Sequence, residues 1–355
     1  MKKILKRIGV ILLIVIIIGV SGFVFVFKNE LKTLNSIEKI DDYTLYTMDY
    51  SGDYGFDDFL KTGASSDSEL VDFVVKKLLK GIPVKFSIPN LGCSTFNAQT
   101  RKGDYIFGRN FDLTYSPALF VKTKPNQGYA SMSTVNLGFL GFNKSKQPDS
   151  LKNKIITLAA PYAPLDGINE KGVSIGVLLI PDEATNQQTD KIDITTTTAV
   201  RLVLDKAKNV DEAIELLKKY DMHSSAKSAY HFQIADSSGK SVVVEYINNK
   251  ISIVKANKTY QMATNFLITK SHYNFGHGQD RYEKMKKILD QNKGVVKDEN
   301  EGMNILKSAS QKIHKNENGE DSATQWSIIY NNTDLTAKIV MGRKYDEKSH
   351  EFDLK

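Results

Sequence analysis

The chain has 355 residues, of which 41% are hydrophobic and 25% are charged, a balance typical of a globular protein. The formal net charge is +7, but the sequence contains no arginine-rich stripe, so we expect no nucleic-acid partner. The chain has 1 cysteine, which excludes an internal disulfide and any metal site built from several thiolates.

The first predicted element is a membrane anchor at residues 9–27. No charge interrupts this apolar run, and a helix of that length rises about 28 Å, close to the thickness of one hydrocarbon core. Basic residues in the preceding segment, 1–8, predict that this end stays in the cytoplasm and that the rest of the chain lies outside. The alternative is a cleaved signal peptide, whose apolar region is usually shorter. We therefore predict a single-pass protein of the cell membrane with an extracytoplasmic domain.

Residues 28–92 are predicted to form an extracytoplasmic leader. Its first half, 28–64, carries many aspartates and tyrosines and is interpreted as a spacer with some aromatic packing. Residues 67–80 have the apolar spacing of an amphipathic helix, and Ser66 with Glu69 forms a capping-box pattern at its start. The domain proper is expected at 93–355.

After Cys93 the sequence changes to short β-rich runs that are separated by turn residues. Strands grouped together, then helices, then strands again predict a layered α+β domain. The predicted strands are 94–99, 105–110, 118–124, 155–160, 173–179, 230–236, 241–247, 250–255, 325–331 and 335–341. The predicted helices are 196–207, 210–220, 280–290 and 300–313.

The dipeptide Gly92-Cys93 is the first candidate for chemistry. Glycine tolerates a strained turn, and strain at this peptide would assist attack of the neighbouring thiol on the preceding carbonyl. Once cut, Cys93 would own a free α-amino group, whose ordinary pKa of about 7.7–8.0 suits a general base beside the thiol. The opposing interpretation is that a lone cysteine is a small buried apolar residue.

Arg109 and Asp112 are the next candidates, within the segment 108–112 at a predicted strand end. In a regular strand residues three apart lie on opposite faces, so a bend would be needed to bring both to one site. An arginine near a thiol favours the thiolate and lowers the pKa of the thiol, and an aspartate can accept a hydrogen bond from the amine of Cys93. The alternative is a surface salt bridge of little energetic value.

Several motifs, in order, resemble the choloylglycine hydrolase family of linear amide C–N hydrolases, which includes bile salt hydrolases and penicillin V acylases. The chain is also similar to the related acid ceramidase, N-acylethanolamine acid amidase and isopenicillin acyltransferase groups. The resemblance spans residues 93 to about 345. The motifs are Cys93-Ser94-Thr95-Phe96, Gly108-Arg109-Asn110-Phe111-Asp112, Asp166-Gly167-Ile168-Asn169-Glu170-Lys171-Gly172, Ala263-Thr264-Asn265-Phe266, Asp280-Arg281-Tyr282 and Thr324-Gln325-Trp326-Ser327.

The resemblance implies a four-layer αββα N-terminal-nucleophile hydrolase fold in which Cys93 attacks an amide carbonyl and forms a thioester. It implies that Arg109 and Asp112 position and tune the cysteine, while Arg281 steadies its surroundings electrostatically. The backbone N–H of Asn169 and the side chain of Asn265 would form the oxyanion hole. Taken one by one, the two asparagines could be a turn residue and a strand end, and the arginine a solvated helix charge.

The chain departs from the bile salt hydrolase pattern, because 92 residues precede the cysteine. A long leader is more similar to the ceramidase and acyltransferase groups, whose precursors cut themselves. The partly apolar segment 130–150 is interpreted either as a lid or acyl-binding loop or as ordinary core packing.

The sequence therefore predicts an amidohydrolase that frees Cys93 by cutting after Gly92 and acts on a small-molecule N-acyl amide. We expect no metal and no organic cofactor. Two alternatives stay open: an acyltransferase that uses an amine in place of water, and a tethered binding protein that has lost catalysis. The acyl group, the amine and the oligomeric state are not determined by the sequence.

Overall fold

The computed structural model describes residues 25–84, 92–269, 275–316, 318–347 and 349–355. Most of the predicted anchor at 9–27 lies outside these ranges, so the anchor stays a prediction. Among the described residues, no helix combines the length and the apolar character that crossing a bilayer requires.

The described part of the chain alternates short helices with many strands. In chain order the helices are α1 (Lys28–Asn35), α2 (Phe56–Thr62), α3 (Asp67–Lys77), α4 (Leu151–Ile156), α5 (Thr196–Lys206), α6 (Val210–Lys218), α7 (Gln279–Gln291) and α8 (Glu299–Ala309). Strands β1 to β10 are Glu38–Asp41, Leu45–Tyr50, Gly92–Thr100, Tyr105–Thr114, Ala118–Thr123, Ser131–Asn136, Asp166–Asn169, Ser174–Ile180, Asp193–Thr195 and Asp221–His223. Strands β11 to β21 are Ala229–Ala235, Ser241–Ile247, Lys250–Lys255, Gln261–Ala263, Asn265–Phe266, Gly276–His277, Val295–Val296, His314–Lys315, Asp321–Asn331, Thr336–Met341 and His350–Asp353.

Two large sheets form the centre of the fold. The first sheet has the strand order β1-β2-β5-β6-β7-β8-β11-β12-β13. The second sheet has the order β14-β3-β4-β19-β20-β21, with β17 paired to β3 and β18 paired to β19. Strand β3, which carries Cys93, is thus an inner strand that pairs on one side with β4 and on the other with β14.

The two sheets face each other, and helices cover their outer sides. Helices α5 and α6 pack on strands of the first sheet, and α7 and α8 pack on strands of the second. The sheets meet where β3 contacts β8 and β11. The predicted layered α+β arrangement is therefore confirmed, with helices outside, two sheets inside and β3 lying against the neighbouring sheet.

The stretch 28–64 packs aromatic side chains onto the domain as predicted, but it is more than a spacer, because it also adds strands to the first sheet. Strand β2 pairs in parallel with β5 along six residues, from Leu45↔Ala118 to Tyr50↔Thr123. Tyr54 and Phe59 are fully buried in the main core. The alternating apolar positions of β2 explain this, since Tyr46, Met48 and Tyr50 bury their side chains on one face of the strand.

Helix α3 begins as the capping pattern predicts. The hydroxyl of Ser66 accepts a hydrogen bond from the N–H of Glu69 at 3.3 Å. The carboxylate of Glu69 turns back to the N–H of Ser65 at 2.8 Å, one residue earlier than the standard box. The helix ends at Lys77, a few residues before the predicted end.

The predicted strand at 155–160 is also wrong. This stretch covers the end of α4 and a 3-10 helix, Thr157–Tyr162. Its β-branched residues favour a strand, but Ser150 caps a helix by accepting from the N–H of Asn153. Burial of Leu158, Ala159 and Ala160 in the main core then fixes the helical form.

Candidate active site

Cys93 is the second residue of β3 and is fully buried. Side chains of β3 alternate between the two sides of the sheet. Thr95, two residues on, donates to Gln233 of β11 at 2.6 Å, so this side of β3 faces the first sheet. The thiol of Cys93 therefore points into the space between the two sheets.

Arg109 approaches the thiol from the neighbouring strand. Arg109 pairs with Thr95 across β4 and β3, and its Nη2 donates to the Sγ of Cys93 at 3.3 Å. Its Nη1 donates to Asp166 Oδ2 at 2.8 Å and also contacts the carbonyl of Leu165. Both partners of the Arg109–Asp166 ion pair are fully buried, which fixes the guanidinium beside the sulfur.

Asp112 lies on the opposite side of β4, as regular strand geometry requires. No bend is needed, because β4 runs on to Thr114 and Asp112 pairs with Gly92 beside the Gly92–Cys93 peptide. Its carboxylate accepts hydrogen bonds from Arg281 at 3.1 Å, Gln311 at 3.0 Å and Thr324 at 2.5 Å. Polar side chains therefore approach Cys93 from both sides of the sheet, Arg109 on one side and the Asp112–Arg281 pair on the other.

Arg281 and Asn265 hold the main chain of Cys93. Arg281, on α7, donates to the carbonyl of Cys93 at 2.6 Å and to Asn265 Oδ1 at 2.7 Å. Asn265 Oδ1 also accepts the N–H of Cys93 at 2.8 Å. The amide Nδ2 of Asn265 donates to the carbonyl of Leu179 at the end of β8, at 2.8 Å. The amide of Asn265 is thereby oriented with its oxygen toward the Cys93 nitrogen.

Burial dominates the electrostatics of the thiol. Loss of solvation raises the pKa of Cys93, and the positive charge and hydrogen bond of Arg109 lower it by less. The predicted lowering by the arginine is therefore present, but burial outweighs it in the intact chain. The raised pKa favours the protonated thiol, so a base is needed to activate it.

Asn169 lies away from the other predicted site residues, at the turn between β7 and β8. Its backbone N–H, the predicted oxyanion donor, donates to the carbonyl of Val173 at 3.0 Å within a tight hairpin. Its side chain donates to the carbonyls of Leu204 and Ala207, where α5 ends. The hairpin contacts Asn332, whose N–H bonds Tyr105 at the far end of β4. The six residue-to-residue steps along β3 from Cys93 to Gln99, the partner of Tyr105, correspond to about 20 Å.

Four residues that support the site were not predicted as members of it. Asp166 and Thr324 belong to two of the motifs quoted above. Those motifs could therefore have pointed to the contacts of Asp166 with Arg109 and of Thr324 with Asp112. Tyr330 donates to Asp166, and both burial and Asp166 raise the pKa of this phenol well above its usual value. Gln311 follows α8 without any pattern that marks it.

A cleft of about 1040 Å³ opens at Gly92. Most of the described residues that line it are polar or charged, and they carry both signs of charge, with Asp182, Glu183, Lys315 and Glu320 among them. The apolar residues of segment 130–150 do not line it. These side chains are buried in the main core, so ordinary core packing explains the segment and a lid or acyl-binding loop does not. They are Val135, Leu137, Phe139, Leu140 and Phe142.

Comparison with known proteins identifies relatives of this arrangement. The model of the linear amide C–N hydrolases, choloylglycine hydrolase family, matches residues 93–275. The chain is 31% identical over 111 residues to a penicillin V acylase of Pectobacterium atrosepticum, covering 28% of this chain and 29% of that protein. It is 27% identical over 179 residues to a bile salt hydrolase/transferase of Clostridium perfringens, covering 46% of this chain and 51% of that protein.

The chain thus spans about half of one curated relative and less than a third of the other. Among solved structures, a variant of the conjugated bile acid hydrolase from Clostridium perfringens has a TM-score of 0.57 at 16% identity, covering 74% of this chain and 92% of that chain. A second variant of that enzyme gives a TM-score of 0.54 with the same coverage. At this identity the likeness supports the fold alone.

Proposed function

The chain belongs to the choloylglycine hydrolase family of linear amide C–N hydrolases, and we propose that Cys93 is its nucleophile, freed when the chain cuts itself after Gly92. One observation carries the proposal: all three polar groups of Cys93 have partners. Arg109 contacts the sulfur, Asn265 accepts from the nitrogen, and Arg281 donates to the carbonyl. Any buried residue needs partners for its backbone N–H and carbonyl. A cysteine that served only as a small apolar core residue would not require a buried arginine at its sulfur.

Self-cleavage would begin with attack of the Cys93 sulfur on the carbonyl carbon of Gly92. The C–N bond between the two residues breaks, its nitrogen takes a proton, and a thioester joins the Gly92 carbonyl to the sulfur. Water then hydrolyses the thioester, leaving a carboxylate on Gly92 and a free amine and thiol on Cys93. The close approach at this position supports the proposal, because a Cβ added to Gly92 would lie 2.8 Å from Gln311 and 3.0 Å from Asp112. Only glycine fits there without displacing the Asp112 cluster.

Hydrolysis of a substrate would use the same groups. The freed α-amino group takes the thiol proton, and the sulfur attacks the amide carbonyl. The amine product leaves with a proton from the ammonium, and water releases the acyl group from the thioester. Asn265 is the proposed donor to the oxyanion, and Arg109 stabilises the thiolate that the buried site disfavours.

The experiment that tests this proposal compares wild type with Cys93→Ala and Cys93→Ser. Each purified protein is incubated with penicillin V, a conjugated bile salt, an N-acyl amino acid and an N-acylethanolamine, and the released amine is measured. We expect wild type to release amine from at least one of them and Cys93→Ala to release none. Equal amine release by wild type and Cys93→Ala would reject Cys93 as the nucleophile.

A transferase is the second candidate, because the Clostridium perfringens relative is called a hydrolase/transferase. Transfer would use an amine in place of water to resolve the thioester. Adding glycine or taurine to the assay separates the two, since transfer yields a new amide and hydrolysis yields the free acid. The alternative of a binding protein predicts neither product.

The predicted anchor adds a proposal about location. If residues 9–27 span a membrane, the basic segment before them keeps the active domain on the extracytoplasmic side. Protease added outside intact cells would then digest the domain, whereas a domain inside the cell would survive until the cells are lysed.

A further inference from the structure

A histidine and a glutamate form a buried pair beside the segment that carries Asn265. His231 and Glu245 lie on the neighbouring strands β11 and β12, one position beyond the paired residues Phe232 and Val244. Both side chains are fully buried, and His231 Nδ1 lies 3.7 Å from Glu245 Oε1. Buried charged groups of this kind are rare unless they are paired, so their place in the fold calls for a reason.

His231 holds the segment immediately before Asn265. Its Nε2 lies 2.7 Å from the carbonyl of Thr264. Because a carbonyl can only accept, this Nε2 carries the proton. The hydroxyl of Thr264 donates to the carbonyl of Gly278 at the start of α7, at 3.1 Å. Thr264 is thereby fixed between the first sheet and the helix that carries Arg281.

Glu245 holds the same segment after Asn265. Its carboxylate accepts from the N–H of Ile268 at 2.5 Å and from the hydroxyl of Thr269 at 2.6 Å. Burial alone would raise the pKa of this carboxyl, but His231 and the hydrogen bonds from Thr269 and Ile268 outweigh burial, so the pKa is lowered. A charged acceptor strengthens the hydrogen bonds that it receives.

We propose that His231 and Glu245 are positioning residues that hold Asn265 at the angle its catalytic role requires. Strand β14 ends at Ala263, so the chain leaves the second sheet just before Asn265. His231 bonds the segment just before the asparagine, at Thr264, and Glu245 bonds it just after, at residues 268–269. This inference rests on the proposed function, because it gives Asn265 the task of donating to the oxyanion.

The test uses acylation of Cys93 by p-nitrophenyl acetate, which needs no knowledge of the natural substrate. The sulfur bonds the acetyl carbon, nitrophenolate leaves, and the thiol proton passes to the α-amino group. Stopped-flow release of nitrophenolate gives the maximal acylation rate and the ester concentration at half-saturation, and intact mass locates the acetyl group. The variants are His231→Leu, which loses the donor, His231→Gln, which keeps an N–H at that reach, and Thr269→Val, which removes one bond to Glu245.

We expect His231→Leu to lower the maximal acylation rate by about tenfold or more at an unchanged half-saturation, since loss of a whole oxyanion donor costs roughly 10²- to 10³-fold. His231→Gln should restore most of the rate, and Thr269→Val should lower it less than His231→Leu. The matched control is Asn332→Leu, which removes a buried polar side chain that bonds Gly172 and Ser174 at the far end of the sheets. Its acylation rate should equal that of wild type.

Two results overturn the positioning role. One is a wild-type acylation rate in both Thr269→Val and folded His231→Leu, and the other is an equal loss in Asn332→Leu, which would show a general effect of destabilisation. In either case acetylation on Cys93 in wild type leaves the proposed nucleophile standing. Absence of acetylation on Cys93 in wild type would instead reject the proposed function, and this inference with it.

Discussion

At the scale of single residues, the candidate site depends on two arginines that contact Cys93 from different sides of one sheet. Arg109 contacts the sulfur, and Arg281 contacts the carbonyl. Each is neutralised by its own buried carboxylate, Asp166 and Asp112 respectively. Because each arginine is paired, the attraction to its carboxylate offsets the desolvation cost of burying a positive charge near the thiol.

Arg109 should control the ionisation of the thiol. Because burial raises the pKa of Cys93 and Arg109 opposes that rise, replacing the arginine raises the pKa further. For Arg109→Gln we expect the rate of Cys93 alkylation by iodoacetamide to fall at neutral pH and its pH profile to move to higher pH. Arg109→Lys, which keeps the charge, should move the profile less. The chain has 1 cysteine, so all thiol alkylation reports on Cys93.

The control for this prediction is Arg201→Gln. Arg201 is equally buried and paired with Asp205, but its hydrogen bonds go to Pro161 and the side chains of β5 and β6. Breaking either buried ion pair should cost about 3–5 kcal/mol of stability. Only Arg109→Gln should move the alkylation profile, and a matching move in Arg201→Gln would contradict the assigned role.

Five of the six predicted site residues meet at Cys93, and the exception is instructive. The resemblance selected Asn169 by its place in a motif. Asparagine before glycine also makes a tight turn, and the carbonyls at the end of α5 accept its amide. The order of motifs could therefore identify Cys93, Arg109 and Arg281, but only the register of β7 and β8 shows which end of the hairpin the asparagine occupies.

At the scale of elements, the strand and helix pattern after Cys93 was largely predictable. The long strands β3, β4, β8, β11 to β13, β19 and β20 have β-branched and aromatic runs with clear turns, and the predicted helices overlap α3 and α5 to α8. Strand β6, Ser131–Asn136, was missed because most of its residues are polar although all of them are buried. The order of polar and apolar residues along β6 does not predict this burial, because it results from pairing with the neighbouring strands β5 and β7.

The start of α7 should be sensitive to a single methyl group. Gly278 has a φ of +92°, and a Cβ placed there would lie 2.5 Å from a guanidinium nitrogen of Arg281. We expect Gly278→Ala to displace Arg281 from Cys93 and Asn265, and so to slow self-cleavage as well as lower stability by about 1 kcal/mol or more. Time courses on denaturing gels and urea unfolding measure the two effects.

Gly294, just beyond the other end of α7, provides the matched control. It has a φ of +74°, and a Cβ there would lie 2.5 Å from the hydroxyl oxygen of Thr259. Gly294→Ala therefore adds similar backbone strain without touching Arg281. Equal slowing of self-cleavage in both variants would show that strain in α7, and not the arginine, is responsible.

At the scale of the whole molecule, the leader is built into the fold on the N-terminal side of the proposed cut. Strand β2 is an inner strand between β1 and β5. The hydroxyl of Tyr54 donates to both oxygens of the buried Asp205 at 2.7 Å. Asp67 of α3 accepts the N–H of Ala226, in a turn where Ala226 and Lys227 both have left-handed φ values near +55°. These contacts do not depend on the Gly92–Cys93 peptide.

We therefore predict that the two pieces stay together after cleavage. Size-exclusion chromatography in native buffer should give one peak that contains both pieces, and denaturant should separate them. Tyr54→Phe should make the pieces separate at lower denaturant, because it withdraws a donor from a buried carboxylate at a cost of about 1–3 kcal/mol.

Tyr46→Phe is the control for that variant. It also removes one hydroxyl from the leader, but the lost partner is Gln147 and no buried charge is left behind. Its effect should be smaller, at about 0.5–1.5 kcal/mol. Release of the leader in native buffer immediately after the cut would contradict the prediction for the whole molecule.

The cut itself is the central claim, and intact mass with N-terminal sequencing of the purified chain tests it most directly. We predict that wild type yields a fragment beginning Cys93-Ser94-Thr95 and that Cys93→Ala stays whole under the same conditions. A wild-type chain that remains uncut for hours at mildly acidic and neutral pH, or a fragment that begins at another residue, would contradict the account.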